Sequence, residues 1–110
     1  MRLHELCDTL ALKRICGNGD AEISGVYVGD FLSRAMSRVE SDNVWVTIMA
    51  NTNVVAVASL TDAACILLAE DVALSEDALT AAKENGITVL SSSDSAYELC
   101  IKLGKVLGAQ

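Results

Sequence analysis

Proline is missing from this chain altogether, aromatic residues make up only 4% of it, and 8 Lys and Arg stand against 15 Asp and Glu. The shortage of basic residues excludes one class of partner. No basic cluster exceeds the pair Lys13 and Arg14, and the net charge is -7, whereas a surface that tracks phosphates needs the opposite balance. No nucleic acid is expected. Paired cysteines are also absent: Cys7, Cys16, Cys65 and Cys100 form no CxxC, and His4 is the one imidazole. Zinc sites need clustered ligands, so no metal is expected. The cysteines read as thiols in a reducing compartment, with Cys65 and Cys100 suited to the core and a redox role for Cys7 or Cys16 as the alternative. Long apolar runs are lacking too. Residues 54–60 and 63–69 are split by Thr61 and Asp62 and fall short of the roughly 20 residues that span a bilayer, so no membrane partner is expected. Glu5 and Asp8 interrupt the first ten residues where an export signal needs an unbroken apolar core. The expected location is cytoplasmic.

What remains is apolar for its size. The 110 residues are 52% hydrophobic and 21% charged, enough for one domain with a real core. That much apolar surface on so small a domain predicts a homodimer.

The pattern along the chain alternates. Leu3, Leu6 and Leu10, with Ile15 beyond, predict a first helix to about Arg14, ended by the Gly17-Asn18-Gly19 turn. Residues 26–28 form a strand and 31–39 a helix, and residues 44–49 form a second strand. Residues 52–60 favour a strand by valine propensity, yet the Asn51-Thr52-Asn53 cap and the strands on either side favour a helix. A helix so apolar all round predicts burial on two sides, against the sheet and against a partner subunit through Val54, Val55, Val57 and Ala58. Residues 65–69 read as a buried strand. A helix capped by Ser75 follows, with Leu79 and Ala82 inward and a stop at Asn85-Gly86. Residues 87–90 are the last strand, and Ser92 to Asp94 cap a final helix with Tyr97, Leu99, Cys100, Ile101 and Leu103 on its apolar side. The fold class is α/β, a layered domain with a mainly parallel sheet of about four strands flanked by helices. Residues 1–19 serve as an N-terminal helix and turn, and residues 20–105 as the core.

Two stretches carry a likeness. ILLAEDVALSEDALTAAKENGITVLSSSDSAYELCIKL, residues 66–103, and SGVYVGDFLSRAM, residues 24–36, resemble the DRTGG domain family over about residues 20–105. Similar domains form the N-terminal part of HPr kinase/phosphorylase, lie between paired CBS domains in regulated pyrophosphatases, and precede the catalytic domain of some phosphotransacetylases. The letters that name the family do not occur, and the segment where it often shows Thr-Gly-Gly reads Ala69-Glu70-Asp71. The resemblance implies a non-catalytic regulatory module that senses a small ligand such as an adenine nucleotide, and the apolar composition adds that it dimerises. The alternative is an interaction or scaffold module docking onto a separately encoded enzyme, with no small ligand.

Catalysis finds little support in the residues. The phosphate-cradling GxxxxGK[ST] of a kinase is absent, as is GxSxG, and no cofactor is expected. His4 reads as a solvated side chain, and Asp30, Asp62 and Asp94 as turn or cap residues. A ligand on an open α/β sheet sits beyond the carboxyl ends of the strands. That rule selects Gly29 and Asp30, then Asn51, Thr52 and Asn53, then Ser91, Ser92 and Ser93, whose neutral donors over helix starts suit an anionic group. Glu70 and Asp71 would repel one. The same residue types also serve as plain caps.

Overall fold

A computed structural model describes residues 1–108. In chain order the elements are α1 (Leu3–Leu10), β1 (Lys13–Cys16), β2 (Gly25–Val28), α2 (Leu32–Arg38), β3 (Asn43–Thr47), α3 (Thr52–Thr61), β4 (Cys65–Leu68), α4 (Glu76–Glu84), β5 (Val89–Ser91) and α5 (Ala96–Leu107). The sheet order is β1-β5-β4-β3-β2. β2, β3, β4 and β5 run parallel, and β1 joins the far side antiparallel to β5.

Side-chain alternation along the strands divides the core into two halves. Trp45, Ile66, Leu68 and Val89 point to one face, where Ala35, Val54, Val55, Val57, Ala58, Ala78 and Ala82 of α2, α3 and α4 cover them. Val44, Val46, Cys65, Leu67 and Leu90 point to the other, under Leu3 and Leu6 of α1 and Leu99 and Leu103 of α5. β3 and β4 are buried along their whole length, as central parallel strands covered by helices on both sides must be. Each fully buried Val or Leu contributes about 1.5–3 kcal/mol. The middle of the sheet is therefore the chief source of stability.

Several expectations change. The first helix ends at Leu10, not Arg14: Ala11 takes a left-handed conformation (φ 53°), its N–H bonding back to Asp8 and Cys7. Residues 13–16 then form a fifth strand. The Gly17-Asn18-Gly19 turn accordingly leaves a strand and does not stop a helix. A Cβ on Gly17 (φ 88°) would lie 2.5 Å from the Thr88 Cα, so the glycine permits the turn to press on the start of β5. Ser95, and not Ser92 to Asp94, caps α5, in a reciprocal pair with Glu98. On that helix Leu99 and Leu103 are buried, while Tyr97 (74% exposed), Cys100 and Ile101 face outward. In α4 the residues turned fully inward are Ala78 and Ala82, with Leu79 only half-buried.

The expected interface residues on α3 lie deep in the protomer. That helix is buried twice, but the second cover is its own chain. Val54, Val55, Val57 and Ala58 are each at most 5% exposed in the single protomer, packed on the sheet and among the residues of α2 and α4. Val55 also lines an open groove between α3 and α4.

Candidate functional site

The carboxyl ends of the four parallel strands meet along one rim, as the crossover rule requires, and their loops are laced together. Asp30, just after β2, accepts hydrogen bonds through Oδ1 from Thr47 Oγ1 at 2.7 Å and from the Ile48 N–H at 2.8 Å. This clasp joins the ends of β2 and β3. The loop after β4 is tied to the loop after β5: the Glu70 N–H donates to the Asp94 carbonyl and the Asp71 N–H to that of Ser92, both at 2.9 Å. The Ser75 N–H reaches the Ala50 carbonyl at 3.0 Å, binding the β4 loop to the entry of α3.

Three of the polar side chains chosen from the sequence, Asp30, Asn51 and Ser92, are committed within this lacework. Gly29 donates its N–H to Val46 and accepts the indole N–H of buried Trp45 at 3.0 Å. A Cβ there would stand 3.0 Å from the Tyr27 ring, so the missing side chain makes room for that ring. Asn51 caps α3, its Oδ1 accepting from the N–H groups of Asn53 and Val54 at 3.0 and 3.3 Å. Ser91 lies in β5 beside Lys13 and Leu68. Ser92 Oγ accepts the Asp94 N–H at 3.0 Å. Thr52, Asn53 and Ser93 are exposed, and Thr52 opens onto the groove between α3 and α4. The residues selected by the strand-end rule thus share one rim, where Asp30, Asn51 and Ser92 act as caps and ties and Thr52, Asn53 and Ser93 stay exposed.

Charge at this rim disfavours a bare anion. Glu70 and Asp71 are exposed and both held in the left-handed region (φ 58° and 56°). These are the positions where the resemblance would place Gly residues, and non-glycine backbone there is strained. Asp94 is balanced by Lys102, whose Nζ lies 2.6 Å from its Oδ2; that bond raises the Lys102 pKa above the ordinary lysine range.

Other concavities lie away from this rim. One, of about 270 Å³, opens at the amino ends of the strands beside Asp20, Asp42, Asp62 and Thr88. Another, of about 420 Å³, runs between β2 and α5. Neither was evident in the sequence, because each is formed by residues distant along the chain.

The reactive side chains are placed for structure. His4 is exposed, but its Nδ1 stands 2.8 Å from Asp20 Oδ1. Backbone and side-chain bonds from His4, with Arg2 adding a third, lower the Asp20 pKa to about 2. This cluster ties the start of α1 to the loop before β2. Burial pushes the thiols of Cys7, Cys16 and Cys65 upward, away from the thiolate form that attacks or ligates. Among the described residues no group of three or more His, Cys, Asp or Glu is arranged to hold a metal. Nor is any helix among them long and apolar enough to cross a membrane.

Comparison with known proteins agrees with this architecture. A family model described as DRTGG domain matches residues 5–106. Among solved structures, one similar chain comprises the CBS and DRTGG domains of the regulatory region of Clostridium perfringens pyrophosphatase, complexed with its activator diadenosine tetraphosphate. The TM-score is 0.71 at 14% identity, over 90% of this chain and 44% of that one. At that identity the likeness is one of fold, and this chain spans less than half of its neighbour's length. No curated protein matches.

Proposed function

The chain belongs to the DRTGG domain family, and from that premise we propose that it is a non-catalytic regulatory domain that self-associates and transmits its effect through protein contact. The observation that carries this reading is the contrast between its two kinds of surface. On the strand-end rim Asp30, Asn51 and Ser92 are already paired, whereas Val26, Val28, Phe31, Met36, Tyr97 and Ile101 leave apolar surface in water. Val26 and Val28 lie together on β2 and floor an open trough against α5, and contiguous exposed apolar surface of that kind marks interaction sites. The absence of a P-loop or hydrolase motif from the sequence supports a non-catalytic role.

A second reading, that the domain senses an adenine nucleotide, has one specific observation in its favour: the similar pyrophosphatase region is complexed with diadenosine tetraphosphate. Gly29, Asp30, Asn51, Thr52, Asn53, Ser91, Ser92 and Ser93 would then contact the ligand, with the capped start of α3 nearest its phosphates.

Sedimentation and thermal shift test both readings. The contact reading expects a mass of twice the chain and a melting temperature unmoved by AMP, ATP or diadenosine tetraphosphate. A nucleotide at about 100 times its dissociation constant would add roughly 2.7 kcal/mol. Such a rise, lost in Asn51→Trp or Ser92→Trp, would establish the second reading. A monomer indifferent to every nucleotide would refute both.

A further inference from the structure

The two edges of the sheet are treated differently. On β1, Lys13 and Arg14 bring charge to the edge, and the register shifts between Arg14 and Cys16. Charge and irregular spacing are standard ways of preventing an exposed edge from accepting another strand. At the opposite edge β2 keeps regular register with β3 over all four residues. Residues 23–29, Ile-Ser-Gly-Val-Tyr-Val-Gly, carry no charge and no proline. N-terminal residues cover only the approach to this strand: the Ile23 N–H bonds to the Met1 carbonyl and the Leu3 N–H to that of Ala21. From Gly25 to Val28 the edge has no partner strand but β3 among the described residues. Val26 and Val28 are 37% and 42% exposed and floor the open trough against Cys100, Leu103, Gly104 and Leu107 of α5.

We propose that the β2 edge is a homodimer interface, at which a second copy pairs its own β2 antiparallel to the first about a two-fold axis normal to the sheet. The two five-stranded sheets join into one of ten. This inference rests on the contact reading above and gives it a location. A second copy fits for three reasons. An open edge requires a strand, because only a strand can pair its row of N–H and C=O groups, and an antiparallel two-fold makes one strand complementary to itself. A copy also carries the same charge of -7, so two copies meet with least repulsion along the uncharged segment. Finally, an axis normal to the sheet keeps both α5 helices on one face. The valines of both strands then lie in a single trough walled by two copies of α5, which buries the apolar surface each copy leaves open. A standard interface removes roughly 800 Å² from each partner, about one-seventh of this chain's 5832 Å².

The test is sedimentation velocity on the full chain and on Val26→Lys, Val28→Lys and Leu60→Lys. The first two put a lysine on the open edge at sites already exposed. Leu60, 69% exposed on α3, is a control on the opposite face. Wild type and Leu60→Lys should run at twice the chain mass, and both edge variants at the mass of one chain with circular dichroism unchanged. If both edge variants remain dimers, the edge assignment is overturned while the self-association reading stands. A monomeric wild type overturns both. Should an edge variant fail to fold, amide hydrogen exchange on the wild type decides: protection of residues 25–28 must rise with protein concentration, and protection independent of concentration refutes the interface.

Discussion

Removing the Asp30 carboxylate separates a structural rim from a ligand-binding one. Its Oδ1 receives two short bonds, from the Thr47 hydroxyl and the Ile48 N–H, and Thr47 itself is 2% exposed. A hydrogen bond to a charged group contributes roughly 1.5–3 kcal/mol, and a buried donor left unpaired costs a further part of its desolvation. Asp30 is exposed, so solvent screening and replacement water reduce the total, and Thr47 keeps one bond because its oxygen also accepts the Met49 N–H. Asp30→Ala should therefore lose about 2 kcal/mol in urea unfolding, which for a domain of this size lowers the melting temperature by roughly 8–10 °C. Asp30→Asn, retaining an acceptor oxygen, should lose about half as much. In a double-mutant cycle with Thr47→Val the pair should couple by about 1 kcal/mol. Were Asp30 present for a ligand, its removal would leave stability unchanged or raised, as functional residues commonly do. A melting point for Asp30→Ala within about 2 °C of wild type, inside the range of ordinary surface changes, would refute the clasp.

Three further outcomes follow from the same structure. Asn51→Ala deletes the acceptor for two N–H groups at the start of α3 and should cost about 1 kcal/mol in chemical denaturation, with Asn51→Asp close to neutral. Gly17→Ala places a Cβ against Thr88 at positive φ and should cost more than about 2 kcal/mol, read as a lower urea midpoint, whereas Gly86→Ala, with open space around it but φ +66°, should cost only the left-handed backbone penalty of about 1–2 kcal/mol. Acid titration should show the Asp20 cluster: its folded pKa, about 2, lies below the unfolded value, so its contribution is complete above about pH 4 and is lost as pH falls toward 2. Asp20→Asn should flatten that limb of the stability profile, and an unchanged limb would contradict the pairing with His4.

The residues disclosed the fold wherever burial and local chemistry agreed. β3 and β4 read as strands because both of their faces are apolar, and α3 was recoverable against valine propensity because Asn51 caps it and a parallel pair needs a crossover. The failures lie where the deciding partner is distant. β1 reads as the end of a helix because the helix stops at Ala11, a left-handed alanine with no sequence signal, and because Ile15 falls near a helical spacing. Its pairing with β5 is invisible without the fold. α3 shows the same limit from the other side. Its all-round apolarity correctly implied two covers, but sequence does not say whether α2 and α4 or another subunit supplies the second.

Topology brings the selected residues onto one rim but does not say what the rim does. Asn, Ser and Asp at strand ends are chosen both for capping and for holding ligands, since each task uses a short side chain with an oxygen near backbone N–H groups. What distinguishes the tasks is whether that oxygen already has a partner, a three-dimensional fact. For Asn51, Ser92 and Asp30 it has. A ligand on this rim would have to displace bonds that hold the loops or settle over the strained Glu70-Asp71 turn, whose charges oppose phosphate. The β2 edge makes no such demand. Pairing there would displace none of these rim bonds and would cover Val26 and Val28, which the protomer leaves exposed.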